Sequence, residues 1–231
     1  MGVGEALRAL AEGKFVLLHD SEERENEVDL VMGAQFVEPH HVTVLRRDAG
    51  GLICVALHHR IARNLGLPYL TEIYRAASER FRVLGGIFPH DLPYDERSAF
   101  SLSVNHRGTR TGITDRDRAL TIRELARLGA RALNGSSVEE FGRNFRSPGH
   151  VPLLPAAPSV LERQGHTELS VTLAEMAGII PVTVICEMLD GETHQALSLE
   201  KAREYAEERG LVLLGGEEVI EEYRRRRGCA G

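Results

Sequence analysis

Glu168-Leu-Ser-Val-Thr-Leu-Ala-Glu-Met-Ala177 is closed by Gly178, and Val182-Thr-Val-Ile-Cys186 follows just beyond Pro181. The first run predicts a helix ended by a glycine that tolerates the left-handed turn; the second is the short apolar run of a buried strand. A helix feeding a buried strand is the repeating unit of a layered α/β fold. The alternation continues toward the C-terminus, where Leu199 to Arg209, Val212 to Leu214 and Glu217 to Arg226 read helix, strand, helix. Toward the N-terminus, Val3, Ala6, Leu7 and Leu10 mark an amphipathic helix that stops at Gly13, and Phe15 to Leu18 and Val28 to Ala34 read as strands. Pro39 opens a helix to about Asp48, and Leu52 to Leu57 is another buried strand.

Between these halves, Ala99 to Val104 places Phe100, Leu102 and Val104 on one face and Ser101 and Ser103 on the other, the period of a half-covered strand. Arg107 to Gly112 is turn-rich, and Arg118 to Leu128 predicts a helix. Leu67 to Asp95, broken by prolines, reads as an irregular excursion. No linker or repeat interrupts the alternation, so residues 1–231 are expected to form one domain, a layered α/β sandwich whose strand order stays open.

Composition narrows the function classes. Apolar residues make up 42% and charged residues 27%, which is enough to bury a core and excludes general disorder. Lys plus Arg number 28 against 34 Asp plus Glu, and the resulting net charge of -6 argues against a general nucleic-acid binder. Arg224 to Arg227 follow acidic Glu217, Glu218, Glu221 and Glu222, the order that complements a helix dipole. No membrane span or signal peptide is recognisable, so a cytoplasmic protein is expected, with no membrane partner. Cys54, Cys186 and Cys229 lack CxxC spacing and read as reduced thiols.

Three places concentrate chemistry. Asp20-Ser-Glu-Glu-Arg-Glu-Asn-Glu-Val-Asp29 carries six carboxylates between two strands. Such crowding fits either a hard divalent cation with oxygen ligands or a solvated acidic loop. Arg163-Gln-Gly-His-Thr167 runs into a helix start, which is a phosphate site in outline; ordinary capping by Thr167 is the other reading. Ser147-Pro-Gly-His150 and Cys186-Glu187 offer a histidine after a tight turn and a glutamate at a strand end, where α/β folds place catalytic groups. A surface turn histidine and a helix-cap or salt-bridging glutamate are the other readings, and the usual fates of a lone His and Glu.

In order along the chain, Asp20 to Leu30, Gly51-Leu-Ile-Cys54, Arg110-Thr-Gly-Ile-Thr114, Ser147-Pro-Gly-His150, Gly165-His-Thr-Glu168 and Ile185-Cys-Glu187 resemble the 3,4-dihydroxy-2-butanone 4-phosphate synthase family in its monofunctional, archaeal form. The resemblance spans about Glu5 to Tyr223. It implies a single-domain, three-layer α-β-α sandwich with a mixed sheet, assembled as a homodimer. The implied activity is a lyase of riboflavin biosynthesis, converting D-ribulose 5-phosphate to L-3,4-dihydroxy-2-butanone 4-phosphate with loss of C4 as formate. Mg2+ is the implied cofactor, and Mn2+ is expected to substitute because one ligand is nitrogen.

Position by position, the resemblance implies that Glu25 and His166 ligate the metal. Arg24, Glu25, Asp29, Thr111, Arg163, Gln164, Gly165, His166, Thr167 and Glu187 would bind substrate. His150 and Glu187 would be essential for catalysis, with Asp29 and Cys54 as further candidates; Cys54, Thr111 and Asp20 are the less specific matches of the resemblance. After His150 the chain has Val-Pro-Leu-Leu-Pro155 where many members have Val-Phe-Pro-Leu-Arg, and residues 67–95 match only the longer archaeal members. The cyclohydrolase domain of bifunctional relatives is not expected. Two other functions use the same parts: a metal-dependent sugar-phosphate aldolase or isomerase, which releases no formate, and a non-catalytic sugar-phosphate binding protein.

Overall fold

A computed structural model describes residues 2–87 and 93–228. Cys229 and the 88–92 part of the excursion lie outside the described residues. The strands are β1 (Val16–His19), β2 (Val28–Gly33), β3 (Cys54–Leu57), β4 (Ser103–His106), β5 (Phe145–Pro155), β6 (Val182–Glu187), β7 (Leu189–Asp190), β8 (Gln195–Ala196) and β9 (Val212–Gly215). The helices are α1 (Val3–Ala11), α2 (Pro39–Val44), α3 (His59–Asn64), α4 (Leu70–Ala77), α5 (Arg82–Gly86), α6 (Asp115–Ala132), α7 (Val138–Asn144), α8 (His166–Met176), α9 (Leu199–Arg209) and α10 (Gly216–Gly228).

Seven strands form one sheet in the order β4-β5-β3-β6-β2-β1-β9, and β7 and β8 form a separate small hairpin. The large sheet is mixed: β1 with β9 and β3 with β5 are parallel, while β2 and β6 run antiparallel to their neighbours. Side chains alternate between its faces, so each strand supplies two cores. Leu17, Leu30, Met32, Val55 and Val184 pack against α2, α6 and α9 through Val42, Ile122, Leu125 and Ala202. Val16, Leu18, Val31, Ala56 and Ile185 pack against α1, α8 and α10 through Leu10, Leu169, Leu173 and Val219. Helices therefore cover both faces, which is the three-layer α-β-α sandwich. It also explains why a central strand such as β3 reads as a continuous apolar run without alternation.

Several boundaries differ from the sequence reading for local reasons. The helix opened by Pro39 leaves α geometry after Val44, passes through a π turn at Leu45–Ala49 and stops at Gly50, where φ is +92°. The expected strand Ala99 to Val104 is shifted to Ser103–His106. Residues before it still bond β5, with Ser101 N donating to Leu153 O at 2.8 Å, but outside a regular ladder. Helix α6 starts before Arg118 because Thr114 accepts from the Asp117 amide as its N-cap and Asp115 and Asp117 fill the first turn. The excursion holds the short helices α4 and α5 and is not wholly irregular. Helix α7 had no counterpart in the sequence reading. Most consequential, α8 starts at His166 rather than near Glu168, with Gly165 at its N-cap and no side-chain cap; Thr167 lies inside the first turn and does not cap it.

Candidate active site

Asp29 on β2 and Glu187 on β6 are direct cross-strand partners, so both point to the sheet face that α8 covers. Cys54 pairs with Ile185 and lies on the same face. The first turn of α8 brings His166 over these strand ends. The result is a cleft of about 170 Å³ lined by Glu25, Asp29, Cys54, Arg163, Gly165, His166, Thr167 and Glu187, together with Tyr94, Asp95 and Arg97 from the end of the excursion.

The acidic run is a folded loop. Asp20 is buried and its two oxygens accept from the Glu25 amide at 2.9 Å and the Glu27 amide at 3.1 Å, so it shapes the loop. Glu22 and Glu23 are solvated. Glu25 is turned inward, with Oε2 3.4 Å from His166 Nδ1. On the other side of the ring, Nε2 lies 3.1 Å from the Glu27 carbonyl and 3.8 Å from Asp29 Oδ1. A metal-binding histidine usually donates from the nitrogen that does not bind metal to a carbonyl or carboxylate. Donation from Nε2 to Glu27 O would leave Nδ1 beside Glu25 to face a cation. Asp20, Glu25 and His166 each offer a ligand atom, all within 4.8 Å of one another. Two carboxylates and one imidazole suit a small divalent cation that keeps several waters.

Burial raises the Asp29 carboxyl to about 7, opposed by the charge of His166 and reinforced by Glu187 and Glu25. Asp29 Oδ1 is a buried acceptor without a hydrogen-bond partner among the described residues, an arrangement that favours an incoming donor or cation. Burial alone would push the His166 imidazole down, but Asp29, Glu25 and Asp20 outweigh it and hold the ring up at about 10. Burial, with Glu187 and Asp29 nearby, raises the Cys54 thiol far above its ordinary range, so this cysteine lines the cleft as a protonated thiol. Cys186, on the opposite face, is pushed up by burial to about 12.

Glu187 is positioned by the Gly51-Leu-Ile-Cys54 stretch. Its Oε2 accepts from the Leu52 amide at 2.8 Å and its carbonyl from the Gly51 amide at 3.0 Å. A Cβ at Gly51 would collide with the Glu187 carboxylate and lie 2.7 Å from its carbonyl oxygen, so only glycine allows this approach. Gly51→Ala is therefore expected to cost about 1–3 kcal/mol of stability, as overpacked sites do, and to lower kcat by moving Glu187. Denaturant unfolding and steady-state kinetics check this; native values for both would show that the backbone yields without moving the carboxylate.

A cationic corner closes the other end. Arg163 bridges Asp95, at 2.7 Å from Nε, and Glu168, at 2.5 Å from Nη1. Arg24 Nη2 reaches the same Asp95 oxygen at 3.1 Å, while Arg24 Nη1 is buried without a hydrogen-bond partner among the described residues. Arg24 and Gln164 border an adjoining groove that shares Tyr94, Asp95 and Arg163 with the cleft. The amides of the first turn of α8 precede its first intrahelical bond, from Leu169 N to Gly165 O, and so add donors to this corner.

His150 and Thr111 lie apart from the cleft lining. The Ser147 to His150 stretch bulges out of the β4–β5 ladder where its register shifts, and a Cβ at Gly149 would overlap the Val104–Asn105 backbone. Asn105 holds two motifs together: its Oδ1 accepts from the His150 amide at 2.9 Å, and its side chain fills the space where Gly112 would carry a Cβ. His150 is thus exposed on a strand bulge and not at a tight turn between elements. Thr111 is also exposed and bonds Asp117. The six sequence motifs form two clusters: four build the cleft, and two build a separate exposed shelf.

Sequence reading passed over Asp95, Tyr94 and Arg97, and gave Glu168, quoted within a motif, no role at the site. Pro93-Tyr-Asp-Glu-Arg-Ser98 has no motif spacing; its one signal was charged and aromatic residues in a loop leading into a strand, a position that often carries function.

A family model described as 3,4-dihydroxy-2-butanone 4-phosphate synthase matches residues 4–222. The synthase of Methanothermobacter thermautotrophicus is 51% identical over 222 residues, covering 96% of this chain and 95% of that protein. That of Archaeoglobus fulgidus is 52% identical over 223 residues, covering 96% and 93%. Among solved structures, a 3,4-dihydroxy-2-butanone 4-phosphate synthase in complex with two magnesium ions is similar with a TM-score of 0.77 and 29% identity, covering 99% of each chain. The Candida albicans enzyme gives a TM-score of 0.75 and 30% identity, covering 96% of this chain and 97% of that one. With that match over almost the full described length, and with the cleft built from the motifs that carry it, the chain belongs to the 3,4-dihydroxy-2-butanone 4-phosphate synthases, which convert ribulose 5-phosphate to 3,4-dihydroxy-2-butanone 4-phosphate in riboflavin biosynthesis.

Proposed function

We propose that this cleft carries out the family reaction with a division of labour between its two ends. The observation that carries the reading is the convergence of Glu25, His166, Asp29 and Glu187 within one cleft that also holds Arg163 and the start of α8. Glu25 and His166 hold Mg2+, with Mn2+ able to replace it, and the bound cation supplies Lewis-acid polarisation of substrate oxygens. Asp29, buried and raised to about 7, and Glu187 take and return protons beside the carbonyl. Cys54 shapes the floor beneath them.

Arg24, Arg163, Gln164, Gly165 and Thr167 hold the phosphate end. The orphan Arg24 Nη1 and the free α8 amides are the donors a phosphate needs. Phosphate does not react, so its contacts serve ground state and transition state about equally. Arg163→Ala is expected to raise KM by roughly 10- to 100-fold with a smaller fall in kcat. An unchanged KM in steady-state kinetics would remove Arg163 from the site.

His150 and Thr111 act in the same reaction if a second copy of the chain brings its exposed shelf to the cleft, which is the part a homodimer plays in this reading. Mixing Glu187→Gln with His150→Ala tests it. Each variant alone is expected to be poorly active, and subunit exchange should restore about a quarter of native activity when hybrid dimers carry one intact site in each; this fraction is an order-of-magnitude expectation. No restoration in the mixture would place His150 within its own subunit's chemistry or outside it altogether. Net charge gives no reason to expect a nucleic-acid partner, and among the described residues no helix is long and apolar enough to cross a membrane.

A further inference from the structure

Asp95 lies where the two arginines of the phosphate end converge. One oxygen, Oδ2, accepts from Arg24 Nη2 at 3.1 Å and from Arg163 Nε at 2.7 Å, and Arg163 Nη2 is 2.5 Å away. All three side chains are largely sequestered, at 10–17% exposure. A carboxylate bridging two guanidinium groups uses the donors that would bind a phosphate oxygen. With Asp95 and Glu168 both in place, the two arginine charges are matched by two carboxylates, so the corner attracts a dianion less strongly until one carboxylate leaves.

The two carboxylates are held differently. Glu168 belongs to α8, is 1% exposed, and its other oxygen accepts from the Ala157 amide at 2.8 Å, so it is a fixed partner that orients Arg163. Asp95 sits on a stretch without helix or strand, and among the described residues its side chain bonds only the two arginines. The corner also holds donors that Asp95 does not satisfy. Arg24 Nη1 is buried and unpartnered, and a Cβ built at Gly165 would lie 3.0 Å from it and 2.6 Å from Arg163 Nη1. This is a site with more donor capacity than one carboxylate uses.

We propose that Asp95 is a displaceable counter-ion of the anion site, a specificity-determining residue that holds Arg24 and Arg163 in place before substrate binds and yields them to a phosphate dianion. The proposal rests on the assignment of Arg24 and Arg163 to the phosphate end. Its consequence is discrimination by charge: a phosphorylated sugar outcompetes Asp95, whereas a neutral sugar or a single carboxylate does not.

The test is calorimetric titration of inorganic phosphate into the full chain with magnesium, alongside steady-state kinetics on ribulose 5-phosphate. Asp95→Asn keeps the shape but removes the charge, and Asp95→Ser removes the bridge should the amide disturb folding. Both are expected to bind inorganic phosphate about 10-fold more tightly and to lower KM by more than they change kcat, while Asp95→Glu stays close to the native phosphate affinity. A purely structural Asp95 would give the opposite sign, with weaker phosphate binding and a raised KM in both variants, and that result or an unchanged affinity overturns the proposal. Arg163→Ala separates the two levels of the argument. If it weakens phosphate binding while the Asp95 variants fail to tighten it, only the counter-ion role falls; if it leaves phosphate binding untouched, the anion site falls with it.

Discussion

Glu187→Gln is expected to lower kcat by roughly 10²- to 10⁴-fold while ribulose 5-phosphate still binds. The substitution keeps the size of the side chain, and the amide oxygen can still accept from Leu52 N, so the strand end and the Gly51 approach survive. What it removes is a charge and a proton acceptor directly across the ladder from Asp29. Those matter as protons move, and much less when the substrate is merely held. Calorimetry with substrate and steady-state rates on the same preparation check the split. A near-native kcat would take Glu187 out of the chemistry, whatever its position.

Removal of the divalent cation is expected to abolish turnover, and added magnesium to restore it, because the developing charge on the substrate then lacks its electrophile. The site adds a pH signature. Without a cation His166 is held protonated up to about 10 by Asp29, Glu25 and Asp20, against burial that favours the neutral ring. A cation must displace that proton to reach the imidazole, so magnesium affinity should rise with pH across the range below 10, with close to one proton released per ion bound. Titrations in buffers of different ionisation enthalpy measure that proton directly. Glu25→Gln should weaken binding and turnover together; full activity in excess chelator, or binding without proton release, would contradict the assignment of His166 and Glu25.

The layered fold was legible because the elements that build it are strongly periodic. Val182 to Cys186 and Val28 to Ala34 are buried on both faces, and runs this apolar, each with one buried polar residue (Thr183 and Asp29), have few other ways to fold in a chain of this composition. Strand order was not legible, since β1 pairs with β9 from the far end of the chain and nothing local encodes a partner that distant. The start of α8 was only partly legible: the sequence places it near Glu168 with capping by Thr167 as one reading, whereas Gly165 takes the N-cap position and brings His166 into the first turn beside Glu25. That small shift is what aims the imidazole into the cleft.

The site itself was legible to the extent that its residues carry motifs. Glu25 and Asp29 of the acidic loop, with Arg163, Gly165, His166, Thr167 and Glu187, line one cleft. His150 and Thr111 do not, and linear order held no sign that Asn105 would bind both their motifs into a separate exposed shelf. Asp95 was hidden for a different reason: its importance lies in the two arginines it meets, 71 and 68 residues away in sequence, and not in its own neighbours.

The most direct measurement follows the carbon that leaves. With ribulose 5-phosphate labelled with carbon-13 at C4 and magnesium present, carbon NMR is expected to show labelled formate growing in step with an unlabelled four-carbon phosphate, and neither product with Glu187→Gln or in excess chelator. Label retained in a five-carbon sugar phosphate, or substrate bound and returned unchanged, would contradict the account.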